Sequence, residues 1–197
     1  MITAFIGDIH GCVDEFRSVS RRAVEEADHV VFLGDYVDRG PDSRSVVEAL
    51  VQLQGDSPDR TTFLRGNHDA AFLKILDDDD GLESFLRMGG AKTVRSYIEP
   101  PYRDALSRLR AAVPQAHRRF LESLGTVYDG TDVIAVHDPE DAPTDGRFVI
   151  AGHATQSSLV PLVSKKMALI DTGCGTRLGG RLTCFLWPTQ RWWQSSD

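Results

Sequence analysis

Short apolar runs rich in β-branched residues recur along the chain, and each has the length of a buried strand. In the first half they occupy positions 2–7, 29–34 and 61–65, and each leads into a segment with helical periodicity. In the second half the runs are "TVYDG", "DVIAV", "FVIAG", "SKKMALIDTG" and "RLTCFLW". The short, glycine-containing spacers between several of these later runs are typical of hairpins. The pattern predicts an α/β half followed by a β-rich half.

Helices are predicted after each of the first three strands. The first covers about 14–27, and the second covers "DSRSVVEALVQL", where Asp42 or Ser43 can act as the N-cap. The third, "AAFLKIL", stops at the acidic run 77–81, because several acids at a helix C-terminus oppose the helix dipole.

Residues 82–124 also read mainly as helix, with breaks at the glycine pair 89–90 and the proline pair 100–101. Together with the strands, this indicates a mixed α/β (α+β) fold in which two packed mixed β-sheets are flanked by helices. At 197 residues and 41% hydrophobic content the chain has the size of one domain, so we expect a single domain over 1–197.

The charge balance limits the partners that the protein can have. The formal net charge is −7, whereas binding to a nucleic-acid polymer normally requires a basic face. No apolar stretch approaches the ~18 residues that a membrane span needs. Three cysteines, Cys12, Cys174 and Cys184, give an odd count without a CxxC motif. We therefore expect no nucleic-acid or membrane partner and a cytoplasmic setting.

Polar residues able to bind a metal ion or move a proton directly follow five of the predicted strands. A glycine precedes the first of them in four cases, which fits a backbone that turns sharply. In open α/β sheets the site lies beyond the carboxyl ends of the strands, so we expect these residues to meet in one place. They are Asp8, His10, Asp35, Asp38, Asn67, His68, His137 and His153.

The types and spacing of these residues indicate a centre for two metal ions. Asp8 and His10 are two positions apart, so in extended backbone their side chains point to the same side and can reach one ion. Asp35 could lie between two ions, because a carboxylate has two oxygens to share. Oxygen and nitrogen donors without thiolate suit Mn, Fe or Zn, and two such ions form a clamp for displacement at phosphorus. The second ion would be completed by Asn67, His137 and His153.

The motifs around these residues resemble those of the metallophosphoesterase (calcineurin-like) superfamily. They are "GDIHG", "GDYVDRG" and "GNHD", followed by His137 and "GHAT". Within the superfamily they are most similar to the bacterial branch of the phosphoprotein phosphatases, which includes phage lambda phosphatase and the symmetrical diadenosine tetraphosphatases. The resemblance covers nearly the whole chain, because "LRMGGAKTVRSYI" is similar to the family's Gly-Gly helical insert and "LIDTGCGTRLGGRLTCF" to its closing hairpin.

The resemblance implies a role for each residue of the site. His68 would be the general acid that protonates the leaving oxygen, and Asp38 would orient it. Arg39 would grip phosphate oxygens together with Asn67. The cofactors would be two divalent ions, with Mn first and Fe or Zn as alternatives, and a hydroxide shared between them would attack phosphorus directly. The first ion would be held by Asp8, His10 and Asp35, and the second by Asp35, Asn67, His137 and His153.

Three functions remain open from the sequence. The leading prediction is a metal-dependent phosphomonoesterase of the serine/threonine phosphatase type, with phosphorylated proteins or peptides, or small phosphate esters, as substrates. The alternative is a hydrolase of dinucleoside polyphosphates such as diadenosine tetraphosphate, which uses the same centre on a phosphoanhydride. The third is a metal-binding module that has lost catalysis.

The chain departs from the family pattern in the segment after His137. In relatives this region is longer and carries a further phosphate-binding arginine, whereas here it is acidic, "DPEDAPTDGR", with Arg147 as the one arginine before His153. The acids could form a solvated loop, repel acidic substrates, or add a carboxylate near the second ion. On this ground the sequence predicts that diadenosine tetraphosphate is a poorer substrate than aryl phosphates and phosphopeptides. A smaller departure is Asp69 in "GNHD", where the family more often has Glu.

Overall fold

Ten strands and seven α-helices are present within residues 1–195, the part of the chain that the computed structural model describes. The strands are β1 (Thr3–Ile6), β2 (His29–Phe32), β3 (Thr61–Phe63), β4 (Val127–Asp129), β5 (Val133–Val136), β6 (Phe148–Ala151), β7 (Leu162–Val163), β8 (Met167–Leu169), β9 (Thr183–Trp187) and β10 (Trp192–Gln194). The helices are α1 (Val13–Glu26), α2 (Ser43–Asp56), α3 (Asn67–Asp77), α4 (Leu82–Phe85), α5 (Ala91–Tyr97), α6 (Ala105–Ala112) and α7 (Gln115–Glu122). None of these helices combines the length and the apolar character that crossing a bilayer would require.

The strands form two mixed sheets of five strands each. The first has the order β10-β9-β1-β2-β3, in which β1, β2 and β3 are parallel and β9 and β10 are antiparallel to their neighbours. The second has the order β4-β5-β6-β8-β7, in which β5, β6 and β8 are parallel and the edge strands are antiparallel. The predicted fold of two mixed sheets flanked by helices is confirmed.

The two sheets pack face to face through a shared hydrophobic cluster. Phe5 and Phe185 of the first sheet and Ile150 of the second belong to it, and all three are fully buried. Ala4 and Ile6, on either side of Phe5, belong to another cluster that contains the apolar residues of the helices. Side chains alternate between the faces of a strand, so β1 is buried on both faces. The double burial fixes the position of its carboxyl end, where Asp8 follows.

Two helix boundaries bear on the functional residues. Helix α2 begins at Ser43, and Oδ1 of Asp42 accepts a hydrogen bond from the backbone N–H of Ser45 at 3.0 Å, so Asp42 is the cap of the two that the sequence allowed. Helix α3 begins at Asn67, three residues earlier than the predicted run "AAFLKIL". Asn67 and His68 therefore lie in the first turn of a helix, and their direction is fixed by it.

The helical insert, residues 86–98, breaks at its glycine pair as predicted. A π-type turn, Leu86–Gly90, joins α4 to α5, and Gly89 has a φ of 110°, which a residue with a side chain rarely adopts. A Cβ added at Gly90 would collide with the ring of Phe85. The pair thus redirects the chain between α4 and α5, and α5 packs against α2.

Two strands of the structure were not predicted. Strand β7 has two residues and β10 has three, and both are too short to show the alternation by which a strand is recognised. Strand β10 nevertheless pairs with β9 and extends the first sheet, with Trp193 opposite Cys184. Both strands lie at sheet edges, away from the strand ends that carry the functional residues.

Candidate metal centre

The loops after β1, β2, β3, β5 and β6 meet at one end of the two sheets. The backbone carbonyl of Asp35 accepts hydrogen bonds from the backbone N–H groups of Ile9 at 3.2 Å and His10 at 2.9 Å. The loop after β6 crosses to the first sheet, where the backbone N–H of His153 lies 3.2 Å from both carboxylate oxygens of Asp8. The structure therefore brings the polar residues of five strand ends together.

The backbone of these loops is strained at the functional residues. A positive φ is costly for any residue with a side chain, and such residues cluster at active sites where the surroundings hold them in place. Here tight turns after the strands impose it. The residues are His10 (45°), Asp35 (53°), Asp38 (71°), Arg39 (64°) and His153 (58°).

Glycines leave room for the carboxylates at two of the strand ends. A Cβ added at Gly66 would collide with the Asp35 side chain, and one at Gly152 would collide with Oδ1 of Asp8. These two glycines are thus required because a neighbouring loop approaches closely. At Gly66 the reason is not the backbone conformation, which is ordinary and extended.

Asp35 lies at the centre of the site. Its Oδ2 atom is 3.4 Å from Nε2 of His137 and 3.7 Å from Nε2 of His10. Two groups of side chains with closely spaced metal-binding atoms share it, one with His10 and His68 and the other with His137 and His153. Asp35 is therefore the residue through which the two groups are connected.

The imidazole rings of His10 and His137 are oriented as metal-binding histidines usually are. Nδ1 of His10 lies 2.9 Å from the carbonyl oxygen of Val37, and Nδ1 of His137 lies 2.9 Å from that of Leu33. A carbonyl can only accept, so in both rings Nδ1 carries a hydrogen and Nε2 is the atom that faces Asp35. A backbone carbonyl behind the ring is the common support of a metal-binding histidine.

Asn67 completes the second group of donors. Its Oδ1 atom is 3.1 Å from Nε2 of His137 and 3.0 Å from Nδ1 of His153. An amide oxygen, two imidazole nitrogens and the Asp35 carboxylate thus converge without any sulfur ligand, a donor set that fits a divalent ion such as Mn²⁺, Fe²⁺ or Zn²⁺.

The protonation of the histidines depends on their surroundings. Burial lowers the pKa of His10 to about 4, although the charge of Asp35 acts in the opposite direction. Burial also disfavours a charged His137, but the hydrogen bond and charge of Asp35 outweigh this and raise its pKa to about 10. Burial would raise the pKa of Asp35, yet its hydrogen bond with His137 and the neighbouring histidines hold that pKa well below its usual value. Without bound metal, Asp35 and His137 therefore form a buried ion pair.

Asp8 lies beside this centre with a second carboxylate that the sequence did not single out, Asp171. Burial and then the charge of Asp171 raise the pKa of Asp8 well above its usual value. Asp171 accepts hydrogen bonds from the hydroxyl of Thr155 at 2.5 Å and the backbone N–H of Gly173 at 2.9 Å. Buried carboxylates in such proximity favour a cation between or beside them.

His68 and Asp38 form a buried pair on the side of Asp35 that faces His10. Nδ1 of His68 is 2.7 Å from Oδ2 of Asp38, and both side chains are almost fully buried. Nε2 of His68 points to the centre, 4.0 Å from Oδ2 of Asp35. The guanidinium of Arg39 also reaches the centre, with Nη1 3.1 Å from Nε2 of His10.

Asp69 holds the backbone of the loops around the centre, a role that the sequence did not indicate. It is buried at the start of α3, and its two oxygens accept three backbone hydrogen bonds. Oδ2 accepts from Asp35 at 2.8 Å and from Gly66 at 2.9 Å, and Oδ1 accepts from Tyr36 at 2.9 Å. A carboxylate at this position fastens the loop after β2 to the first turn of α3.

A cavity of about 260 Å³ opens beside the second group of donors. His137 and His153 line it, together with Asp138 and Asp141 of the acidic segment. Oδ2 of Asp138 lies 3.5 Å from Nε2 of His153. Arg147 faces a different cavity and pairs with Asp129 and Asp145. The acidic segment thus borders the site, and its arginine does not.

The family of the chain follows from its sequence and this site together. Residues 1–155 match the model of the calcineurin-like phosphoesterases. The chain belongs to the calcineurin-like phosphoesterase family. Phosphatases of this superfamily depend on two metal ions, and the two donor groups around Asp35 provide residues that could bind them. The chain therefore carries donor residues that a dinuclear centre of this superfamily could use.

Curated relatives match parts of this phosphoesterase. The symmetrical bis(5'-nucleosyl)-tetraphosphatase of Buchnera aphidicola is 40% identical over 77 residues, which are 38% of this chain and 27% of that protein. The enzyme of the same name from Nitrosospira multiformis is 32% identical over 103 residues, 51% of this chain and 34% of that protein. The serine/threonine-protein phosphatase sitA of Aspergillus fumigatus is 46% identical over 57 residues, 29% and 15% of the two chains. The chain thus spans about a third or less of the length of these relatives.

Solved structures show the same fold at low identity. A protein provisionally named a diadenosine tetraphosphatase superposes with a TM-score of 0.66 at 20% identity, covering 98% of this chain and 92% of the other. A metallophosphoesterase from Sphaerobacter thermophilus gives 0.62 at 20% identity, with 98% and 86% covered. A cold-active protein-tyrosine phosphatase of a Shewanella species gives 0.58 at 15% identity, with 93% and 75% covered. These similarities establish the architecture of the two sheets.

Proposed function

We propose that this phosphoesterase hydrolyses dinucleoside polyphosphates at a centre of two divalent ions, with Mn²⁺ as the first candidate metal. The observation that carries the hydrolytic chemistry is the position of Asp35 between two groups of donors, with His68 and Arg39 facing the same point. The choice of substrate is supported by the relatives named symmetrical bis(5'-nucleosyl)-tetraphosphatases. They favour the alternative prediction over the phosphomonoesterase that the sequence put first.

The ligands are assigned to two ions that share Asp35. His10 would bind through Nε2, since its Nδ1 donates to Val37, and Asp8 would complete this ion from the neighbouring strand end. His68 is left out because the family resemblance implies that it is the general acid, and because its Nε2 lies farther from Oδ2 of Asp35, at 4.0 Å, than that of His10, at 3.7 Å. The first ion would be held by Asp8, His10 and Asp35, and the second by Asp35, Asn67, His137 and His153.

The chain's own side chains would bind the phosphate and supply the proton. When bound, the two ions would lower the pKa of water and neutralise charge on the phosphoryl oxygens. The planar fork of Arg39, together with the amide of Asn67, would grip those oxygens and hold phosphorus in line for displacement. His68, with its Nδ1 hydrogen held by Asp38, presents Nε2 to the leaving oxygen and would donate a proton to it.

Phosphomonoester hydrolysis is the second candidate, and a specific observation favours it. Asp138 and Asp141 line the cavity beside the second group of donors, where a long polyanionic substrate would have to lie. Carboxylates there would repel its phosphates, whereas a monoester has a single phosphate to place. The match to serine/threonine-protein phosphatase sitA is in keeping with this reading.

A direct comparison of substrates tests the proposal. The protein is loaded with Mn²⁺, and kcat/KM is measured for diadenosine tetraphosphate, p-nitrophenyl phosphate and a phosphoserine peptide. We expect diadenosine tetraphosphate to give the highest value, with two molecules of ADP as the products of symmetrical cleavage. A higher value for the aryl phosphate or peptide would make the second candidate correct. If no substrate is turned over at full metal occupancy, the third function, a metal-binding module that has lost catalysis, would be correct.

A further inference from the structure

Thr93 connects the helical insert to the catalytic loop after β2. It lies on α5, is fully buried, and its hydroxyl takes part in three hydrogen bonds. Oγ1 donates to Oδ1 of Asp38 at 2.5 Å, accepts from the backbone N–H of Asp38 at 2.9 Å, and lies 2.9 Å from Oγ of Ser43. The hydroxyl of one residue of the insert thus contacts both the carboxylate and the backbone N–H of Asp38.

The hydrogen atoms of this network can be assigned. A hydroxyl has one hydrogen and two lone pairs. Because Thr93 gives its hydrogen to the Asp38 carboxylate, the hydrogen between Thr93 and Ser43 comes from Ser43. The lone pairs of Thr93 then accept from Ser43 and from the backbone of Asp38. Every donor and acceptor position of the Thr93 hydroxyl is used, so its direction is fixed.

The fixed hydroxyl determines the rotation of the Asp38 carboxylate. Oδ1 is held by Thr93, so Oδ2 faces Nδ1 of His68 at 2.7 Å. A carboxylate held by one oxygen alone could turn about its terminal bond, and the ring of His68 would lose its support. The same insert also holds Arg39, whose Nε donates to the carbonyl of Met88 at 3.3 Å.

We propose that Thr93 is a positioning residue: its hydroxyl holds the Asp38 carboxylate in the rotation that aims Nε2 of His68 at the leaving oxygen. This inference rests on the proposed function in that it takes His68 as the general acid. The role of Thr93 is not merely to accept a hydrogen bond from the buried backbone N–H of Asp38. The N–H of Asp38 also donates to Oγ of Ser43 at 3.0 Å and keeps a partner when Thr93 is changed.

The test uses two aryl phosphates that differ in their need for a proton. Thr93→Val keeps the shape of the side chain and removes the donor to Asp38, and Thr93→Ser keeps the donor. With the Mn²⁺-loaded enzyme, Thr93→Val should lower kcat for phenyl phosphate about tenfold to a hundredfold, part of the 10²–10⁴-fold that a general acid supplies. For p-nitrophenyl phosphate, whose leaving group needs little protonation, kcat should fall less than about threefold, with KM little changed.

The ratio of the two kcat values separates positioning from folding. Both substrates are measured on one sample, so the folded fraction cancels in the ratio. Thr93→Ser should restore the wild-type ratio, and Ser43→Ala, which leaves the Thr93 contact to the carboxylate intact, should not change it. Equal losses on both substrates in Thr93→Val would overturn the proposal. If that variant fails to fold, the pair Thr93→Ala and Thr93→Ser gives the same comparison.

Failure of the proposed function would be recognised separately. Aryl phosphates report on the proton donor whether or not diadenosine tetraphosphate is the preferred substrate. Should the wild-type protein hydrolyse neither, NMR of the His68 ring tests the positioning itself. The hydrogen on Nδ1 of His68, which is donated to Asp38, should give a slowly exchanging signal in the wild type and in Thr93→Ser. This signal should be absent in Thr93→Val. An unchanged signal in Thr93→Val would contradict the inference.

Discussion

Asp69 holds the backbone of Asp35 in place: its Oδ2 atom accepts the Asp35 N–H at 2.8 Å, and the same oxygen accepts the N–H of Gly66 at 2.9 Å. Asp35 has a φ of 53°, a conformation that costs energy unless the surroundings impose it. The residue at the centre of the site is thus fixed by a carboxylate that does not itself face the site.

Replacing this carboxylate by an amide should destabilise the protein. In Asp69→Asn one oxygen becomes an NH₂ group that faces a backbone N–H, and a buried donor loses its partner. An unsatisfied buried donor costs about 1–3 kcal/mol. We expect the free energy of unfolding in urea to fall by about this amount. Glu25→Gln, which removes an exposed acid on α1, is the matched control and should change it by less than about 0.5 kcal/mol. A loss in the control equal to that in Asp69→Asn would point to net charge instead.

The strand ends could be predicted from the sequence because they follow a general rule of parallel sheets. Runs such as "TAFIG" and "FVIAG" are buried on both faces, and their carboxyl ends must lie together whatever the details of packing. Asp171 follows the run "MALI" in the same way, so a signal for it was present, although the run read as part of a hairpin. Thr93 gave no signal. It is a small polar residue in a helix, 55 positions from Asp38, and only the folded chain brings the two together.

The shared position of Asp35 predicts how the metal content responds to mutation. Asp35→Asn should lose both ions, because its carboxylate lies 3.4 Å from His137 in one group and 3.7 Å from His10 in the other. His10→Asn should weaken one ion and leave the other. Metal content is measured by elemental analysis after dialysis against a weak chelator. Two ions per chain in Asp35→Asn would contradict the bridging role.

Metal binding should depend on pH through His137. Its pKa is raised to about 10 by the Asp35 carboxylate, so near neutral pH its Nε2 carries a proton that an incoming ion must displace. Affinity should therefore rise with pH below this pKa, by about tenfold per pH unit for one released proton. Titration calorimetry of the metal-free protein in buffers of different ionisation enthalpy counts the protons released. The control is His29→Gln, outside the centre, which should leave the slope unchanged. Affinity independent of pH between 6 and 8 would contradict the displacement of a proton from His137.

Loss of His68 should affect turnover and not metal binding. His68→Asn leaves every ligand assigned to the two ions in place, so both ions should remain. Hydrolysis of phenyl phosphate should fall by about 10²–10⁴-fold, whereas p-nitrophenyl phosphate, with its good leaving group, should be affected far less. Asp38→Asn should show the same selective loss, since its Oδ2 holds Nδ1 of His68. Loss of an ion from His68→Asn would instead make His68 a ligand.

The acidic segment after His137 should set the preference between substrates. Asp141 lines the cavity beside the second group of donors, and its neighbour Glu140 is exposed and does not line it. Asp141→Asn removes a negative charge where the non-reacting phosphates of diadenosine tetraphosphate would lie, whereas Glu140→Gln removes one from the same loop facing solvent. The repulsion between one partly solvated charge on the cavity wall and the substrate amounts to about 1 kcal/mol, which corresponds to roughly fivefold in kcat/KM.

We expect Asp141→Asn to raise kcat/KM for diadenosine tetraphosphate roughly fivefold at low salt, and p-nitrophenyl phosphate to respond less because it has no further phosphates to repel. The gain should shrink as ionic strength rises toward 0.5 M, because salt screens exposed charges. Asp138→Asn is a poorer probe, since Oδ2 of Asp138 lies 3.5 Å from Nε2 of His153 and its loss can alter the metal site as well. Equal effects of Asp141→Asn and Glu140→Gln would mean that overall charge, and not the wall of the cavity, governs the choice of substrate.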